Sequence, residues 1–142
     1  MFPQLLIALG RQFSLGKNER LKHRKLIEQL FKKGRNFTIY PFRVFYLFPD
    51  NLSYPLQAGF GASIRNFKKA VDRNRIKRVT REAYRSKKND LSTLLTEKKM
   101  ALSIFFIYTA KELPNFHEVT EKLDMALQKL ITIVNEKNTP GS

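Results

Sequence analysis

The stretch Ala70-Val71-Asp72-Arg73-Asn74-Arg75-Ile76-Lys77-Arg78-Val79-Thr80-Arg81-Glu82-Ala83-Tyr84-Arg85 decides the fold, because a helical pattern here separates two strand-like segments. At about 100° per residue, Ile76, Val79 and Ala83 gather within an arc of about 60°, which predicts a helix over about Val71–Lys88. Upstream, Leu56–Ile64 alternates: Leu56, Ala58, Phe60, Ala62 and Ile64 share one face, and Gln57, Gly59, Gly61 and Ser63 share the other. Downstream, Ser103–Tyr108 (SIFFIY) has the aromatic and β-branched content of a well-buried strand. A helix between two strands implies a crossover connection, hence a mixed sheet with helices packed on it.

Working outward, Phe42–Phe48 (FRVFYLF) reads as a strand and Phe37–Ile39 as a shorter one. Before them, Leu26, Ile27, Leu30 and Phe31 form an apolar stripe on a helix starting near Lys22, and Gly34 is placed to stop it with a left-handed cap. Turns are expected at Pro49-Asp50-Asn51 and Ser53-Tyr54-Pro55. Residues 115–136 form an amphipathic helix, with Asn115 and Glu118 at capping-box spacing. The expectation is one α+β domain over 13–136, in the order α-β-β-β-α-β-α with a mixed four-stranded sheet. Residues 1–12 are an N-terminal arm and 137–142 a flexible polar tail. The glycine face of Leu56–Ile64 has two readings: close packing of another segment, or an open floor for a nucleic-acid strand.

The chain has 142 residues, 27 Lys+Arg against 12 Asp+Glu, and a formal net charge of +15. With 42% hydrophobic residues it is too apolar for a disordered basic tail. Without cysteine, disulfides, Cys-ligated zinc and thiol catalysis are excluded. Neither a secretion signal nor a membrane span is found, so a cytoplasmic protein with a polyanionic partner is expected. Residues 17–35 carry a net +6 and residues 65–88 a net +9, so these two segments account for the whole excess.

Opposite the apolar arc of the helix, Arg73, Lys77, Arg81 and Arg85 form an i, i+4, i+8, i+12 ridge, joined by Asn74 and Arg78, with Arg75 at its edge. Neighbours on that ridge are about 6 Å apart, and like charges so placed destabilise an isolated helix. Phosphates along an RNA backbone fit the ridge, and arginine's planar fork grips two phosphate oxygens at once. A membrane-surface helix needs a broader apolar face, and no helix-turn-helix or zinc site presents this helix to DNA. Catalytic constellations are missing. His23 and His117 are distant in sequence, Asp72 and Glu82 are about 15 Å apart along one helix, and no P-loop is present.

The pattern Lys69-Ala70-Val71-x-Arg73-Asn74-Arg75-x-Lys77-Arg78-x-x-Arg81-Glu82-x-x-Arg85 resembles the signature of the protein subunit of bacterial ribonuclease P. Arg20-Leu21-Lys22, leading into a helix that ends Phe31-Lys32-Lys33-Gly34, is similar to that family's first helix, and the resemblance covers residues from about 13 to 134. It implies a left-handed β-α-β crossover, against the usual handedness. It also implies a basic subunit that assists a catalytic RNA in removing the 5′ leader from precursor tRNA. Magnesium would then be held mainly by the RNA, with no organic cofactor and no obligate protein partner. By the same resemblance Arg73, Asn74, Arg75, Lys77, Arg78 and Arg81 face RNA, with Lys68, Lys69 and Arg85 adjoining. Ile27, Phe31 and Phe45 would line a cleft for the single-stranded leader, floored by the sheet, so the resemblance favours the open-floor reading of the glycine face. Two departures stand out: Ile27 occupies a position where the family commonly has an aromatic, and a Ser-Lys-Lys element is shortened to Ile64-Arg65-Asn66-Phe67. The alternatives are a generic structured-RNA-binding or ribosomal protein, and a nuclease that acts without RNA.

Overall fold

Residues of alternating polarity in the strand segments sort onto two sheet faces, and everything functional follows from which face each side chain takes. The computed structural model describes residues 20–21, 24–49 and 55–137. Their elements are α1 (Arg24–Lys33), β1 (Arg35–Ile39), β2 (Phe42–Leu47), β3 (Leu56–Ala62), α2 (Ala70–Lys87), α3 (Asn89–Lys98), β4 (Leu102–Tyr108) and α4 (Phe116–Lys137). The α+β order α-β-β-β-α-β-α holds, with the helical stretch ahead of β4 divided in two. The sheet order is β1-β2-β4-β3. Its β1–β2 and β2–β4 pairs are antiparallel, and β3–β4 is parallel, so the crossover read from the sequence is present.

One face of the sheet presents Phe42, Val44, Ala58, Ile104 and Phe106, all buried. Against it pack α2, through Ile76, Ala83 and Tyr84, and α4, through Val119, Leu123, Leu127, Leu130 and Val134. Tyr84 seats its ring against Phe60 and Phe106, at 5.4 and 5.6 Å between centroids. The opposite face carries α1, whose Phe31 reaches Phe45 and Phe105.

Four local expectations change or sharpen. The helix predicted to run to Lys88 ends at Lys87, and α3 follows at once. Only Leu91 and Leu95 of α3 are buried, a stripe too thin among Ser92, Thr93 and Thr96 to register as periodicity. Gly34 is not a left-handed cap: a Cβ there would strike the Leu30 carbonyl oxygen and lie 2.8 Å from that of Tyr46, so close backbone approach requires the glycine. Strand β4 is not uniformly buried, because Phe105 and Ile107 are half-exposed on the α1 face. At α4, Asn115 Oδ1 accepts the His117 and Glu118 N–H groups at 2.9 and 3.2 Å, the cap its spacing predicted. The arm over 1–12, His23, the turn around 50–54 and the tail beyond 137 lie outside the described residues.

Candidate RNA interface

Helix α2 buries Ile76, Thr80, Ala83 and Tyr84, with Val79 half-buried. At about 100° per residue this arc spans about 140°, more than twice the predicted width. The ridge is therefore not uniformly opposite the core. Arg73, in the first turn, falls within that arc and Lys77 at its edge, and both are half-buried, while Asn74, Arg75 and Arg78 are exposed. The extra width comes from Thr80, whose hydroxyl donates to the Ile76 carbonyl at 2.8 Å and so can be buried inside a helix, and from Tyr84, whose ring packs on Phe60 and Phe106.

Arg73 turns back on its own chain. Its guanidinium donates to the Phe67 and Lys68 carbonyls at 2.9 and 2.8 Å. The loop it holds is tied again by Asn66, whose amide donates to the Thr109 carbonyl at 3.0 Å and whose N–H donates to Ser63 Oγ at 3.3 Å. Phe67 is buried below, 6.1 Å from the Tyr108 ring. The segment that departs from the family pattern is thus a braced loop that keeps Arg65, Lys68 and Lys69 exposed beside the start of α2.

Arg85 pairs with Glu82 one turn away. Arg73, Arg78 and Arg81 make no ion pair with a carboxylate among the described residues. Arg81 faces another cation instead: burial lowers its guanidinium pKa from the ordinary value, and the charge of Arg20 lowers it further. The two arginines line a recess of about 150 Å³ with Leu21 and Gly59. Leu21 is fixed there by its N–H bond to the Ala58 carbonyl at 2.9 Å, which joins the N-terminal segment to the edge of β3. Two guanidinium groups converging on one recess form a seat whose charge suits an anion.

On the α1 face of the sheet, Phe31 stands edge-on to Phe45 at 4.8 Å and 79°, and to Phe105 at 5.3 Å and 63°. Phe31 is 41% exposed, and the Arg43 guanidinium lies 5.4 Å from the Phe45 ring. Ile27, one turn before Phe31, is half-buried. The three cleft residues named from the sequence therefore share one region. Phe105 completes it and was missed, although SIFFIY holds the signal: Phe105 and Phe106 alternate, so one must leave the core. Its register sets Phe105 between Phe45 and Gly59. A Cβ on Gly59 would lie 2.7 Å from the Phe105 ring, and one on Gly61 3.0 Å from it. The glycine face is thus not the open floor that the resemblance favoured: close packing of the Phe105 ring fills it, and the surface above it is aromatic rather than glycine backbone.

Comparison with known proteins matches residues 15–131 to the family model described as Ribonuclease P. The chain belongs to the ribonuclease P protein family. It is 38% identical over 136 residues to the ribonuclease P protein component of Porphyromonas gingivalis, covering 92% of each chain. The corresponding component of Chlorobium phaeobacteroides is 30% identical over 82% of this chain and 88% of its own. Among solved structures, the RNase P protein of Thermotoga maritima superposes with a TM-score of 0.62 at 27% identity, over 78% of this chain and 96% of that one. The Staphylococcus aureus RNase P protein shares the fold, with a TM-score of 0.62 at 22% identity over 79% and 94% of the two chains. Membership makes this chain a component of the ribonuclease P ribonucleoprotein, in tRNA processing, and implies association with the RNase P RNA.

Proposed function

We propose that this chain serves ribonuclease P through two surfaces: the α2 side grips the catalytic RNA, and the α1 side holds the 5′ leader of precursor tRNA. The observation that carries this reading is the separation of two chemistries by one sheet. Arg75, Arg78 and Asn74 are exposed on the helix that covers the core face, whereas Phe31, Phe45 and Phe105 cluster on the other face. Cations without internal partners suit phosphates, and exposed rings suit unpaired bases. Arg85, Lys68 and Lys69 extend the cationic side, and Arg43 supplies charge beside the aromatic one.

The polypeptide contributes binding and charge compensation. Guanidinium groups offset repulsion between two RNAs, and ring stacking orders the leader near the cleavage site. Among the described residues no three His, Asp or Glu side chains are grouped so that they could hold a metal ion. In our reading magnesium is held mainly by the RNA. The test is reconstitution of protein alone, RNA alone and both together at low magnesium, with the cleavage site mapped. Cleavage at the mature 5′ end should require the RNA and be accelerated by the protein. Cleavage by protein alone, or no acceleration of the RNA, overturns the reading.

A further inference from the structure

We propose that the β1–β2 end of the sheet carries a second single-stranded RNA track, which takes leader nucleotides lying beyond the Phe31–Phe45–Phe105 cluster. This rests on the leader reading above. The cationic segment over residues 17–35 is only partly used by the interface already described, since Lys33 and Arg35 stand elsewhere. They line a recess of about 460 Å³ with Tyr46, Phe48 and Lys137, and with Glu136 as the carboxylate on its wall.

Phe37, Tyr46 and Phe48, half-buried where they pack at the margin of the core, form a row of rings. Phe37 lies 5.9 Å from Tyr46, and Tyr46 lies 6.3 Å from Phe48. Lysines cap both ends: Lys129 Nζ is 4.8 Å from the Phe37 centroid and Lys137 Nζ is 4.9 Å from that of Phe48. Aromatic faces interleaved with cations are what a sequence-tolerant single-strand site requires. A base stacking on either ring takes the place of the ammonium, which is then free to meet the adjoining phosphate. Lys33 and Lys137 also sit in the last turns of α1 and α4, where cations offset the helix carbonyls, but Arg35 on β1 has no such role. The leader is the strand chosen because Phe31 and Lys33 share the final turn of α1, about 3 Å apart along its axis. A strand leaving Phe31 therefore rounds the end of α1 to reach Lys33.

The test uses reconstituted holoenzyme with precursors carrying no leader, a leader of about four nucleotides and one of about twelve, the span a platform of this size covers. The exposed triple change Lys33→Glu, Arg35→Glu, Lys137→Glu should weaken binding of the long-leader precursor about ten-fold or more. It should leave the other two within about two-fold. Wild-type affinity for the long leader overturns the track, and an equal loss without a leader shows that this edge binds structured RNA instead. Phe45→Ala run in parallel separates the readings, because short-leader binding unchanged by it overturns the cleft but not the length effect at the edge. Independently of any variant, 4-thiouridine near the 5′ end of the long leader should crosslink to the peptide containing Tyr46 and Phe48. Crosslinks confined to peptides of the Phe31–Phe45–Phe105 cluster overturn the proposal.

Discussion

Arg73 donates to the Phe67 and Lys68 carbonyls, so its removal loosens the braced loop as well as deleting a charge. Arg73→Lys keeps the charge but loses the fork, and should cost about 1–2 kcal/mol in urea unfolding. Arg78→Ala, at an exposed position, should change stability by no more than about 0.5 kcal/mol while weakening RNA binding. Equal stability losses in both would remove the bracing role of Arg73. Tyr108 gives a second measurement. Burial, first, and then the charges of Tyr40, Glu112 and Glu118 push its hydroxyl up to about 12, and the hydroxyl donates to the Glu112 carbonyl at 2.9 Å. A phenol whose folded pKa is raised above its unfolded value of about 10 stabilises fully below pH 10, and that contribution is lost as pH rises towards 12. Tyr108→Phe should flatten the alkaline fall in stability over that window, and an unchanged profile counts against the assignment. None of these partnerships was legible in sequence, since each joins a side chain to a backbone carbonyl that only the folded loop brings near.

At the scale of elements, α2 was readable as a basic amphipathic helix because Ile76, Val79 and Ala83 repeat on one face. Its true burial was not, because Thr80 and Tyr84 look polar until Thr80 bonds the preceding turn and Tyr84 finds Phe60 and Phe106. That widening leaves Arg75 and Arg78 as exposed cations and makes Arg73 a brace. Replacing Arg75 and Arg78 together by Gln should therefore reduce the salt dependence of assembly with the RNA, lowering the slope of log K against log salt by about 1–2. A wild-type slope would show that these residues do not neutralise phosphates. The strands carry a parallel lesson. Alternation in β3 was visible, but what fills its glycine face depends on the parallel register with β4, which no local pattern specifies. Gly59→Ala should accordingly displace the Phe105 ring and weaken leader binding. Its effect should be smaller in a Phe105→Ala background, as a double-mutant cycle reports.

Across the whole molecule, the sheet keeps the exposed cations of α2 apart from the aromatic cluster, the two surfaces proposed to meet RNA. The cationic helix packs on the face that carries Phe60 and Phe106, and the aromatic cluster lies on the reverse, beneath α1. This division was foreshadowed by charge concentrated in two segments, yet its geometry required the β1-β2-β4-β3 order, in which β4 crosses back between β2 and β3. If the two surfaces are separate binding platforms joined by a stiff core, their energetic contributions should add. Arg78→Ala should weaken assembly with the RNA, and Phe45→Ala should weaken capture of leader-bearing precursor, the latter by about 1–3 kcal/mol for a lost stacking ring. In the double variant the loss in precursor binding by the assembled enzyme should equal the sum within about 0.5 kcal/mol, because sites without shared partners do not couple. The measurement is a double-mutant cycle at saturating protein, repeated with leaderless precursor as the reference arm. A coupling above about 1 kcal/mol would mean that the RNA held by α2 reorganises the α1 cleft, and the sheet would then be a transmitter rather than a partition.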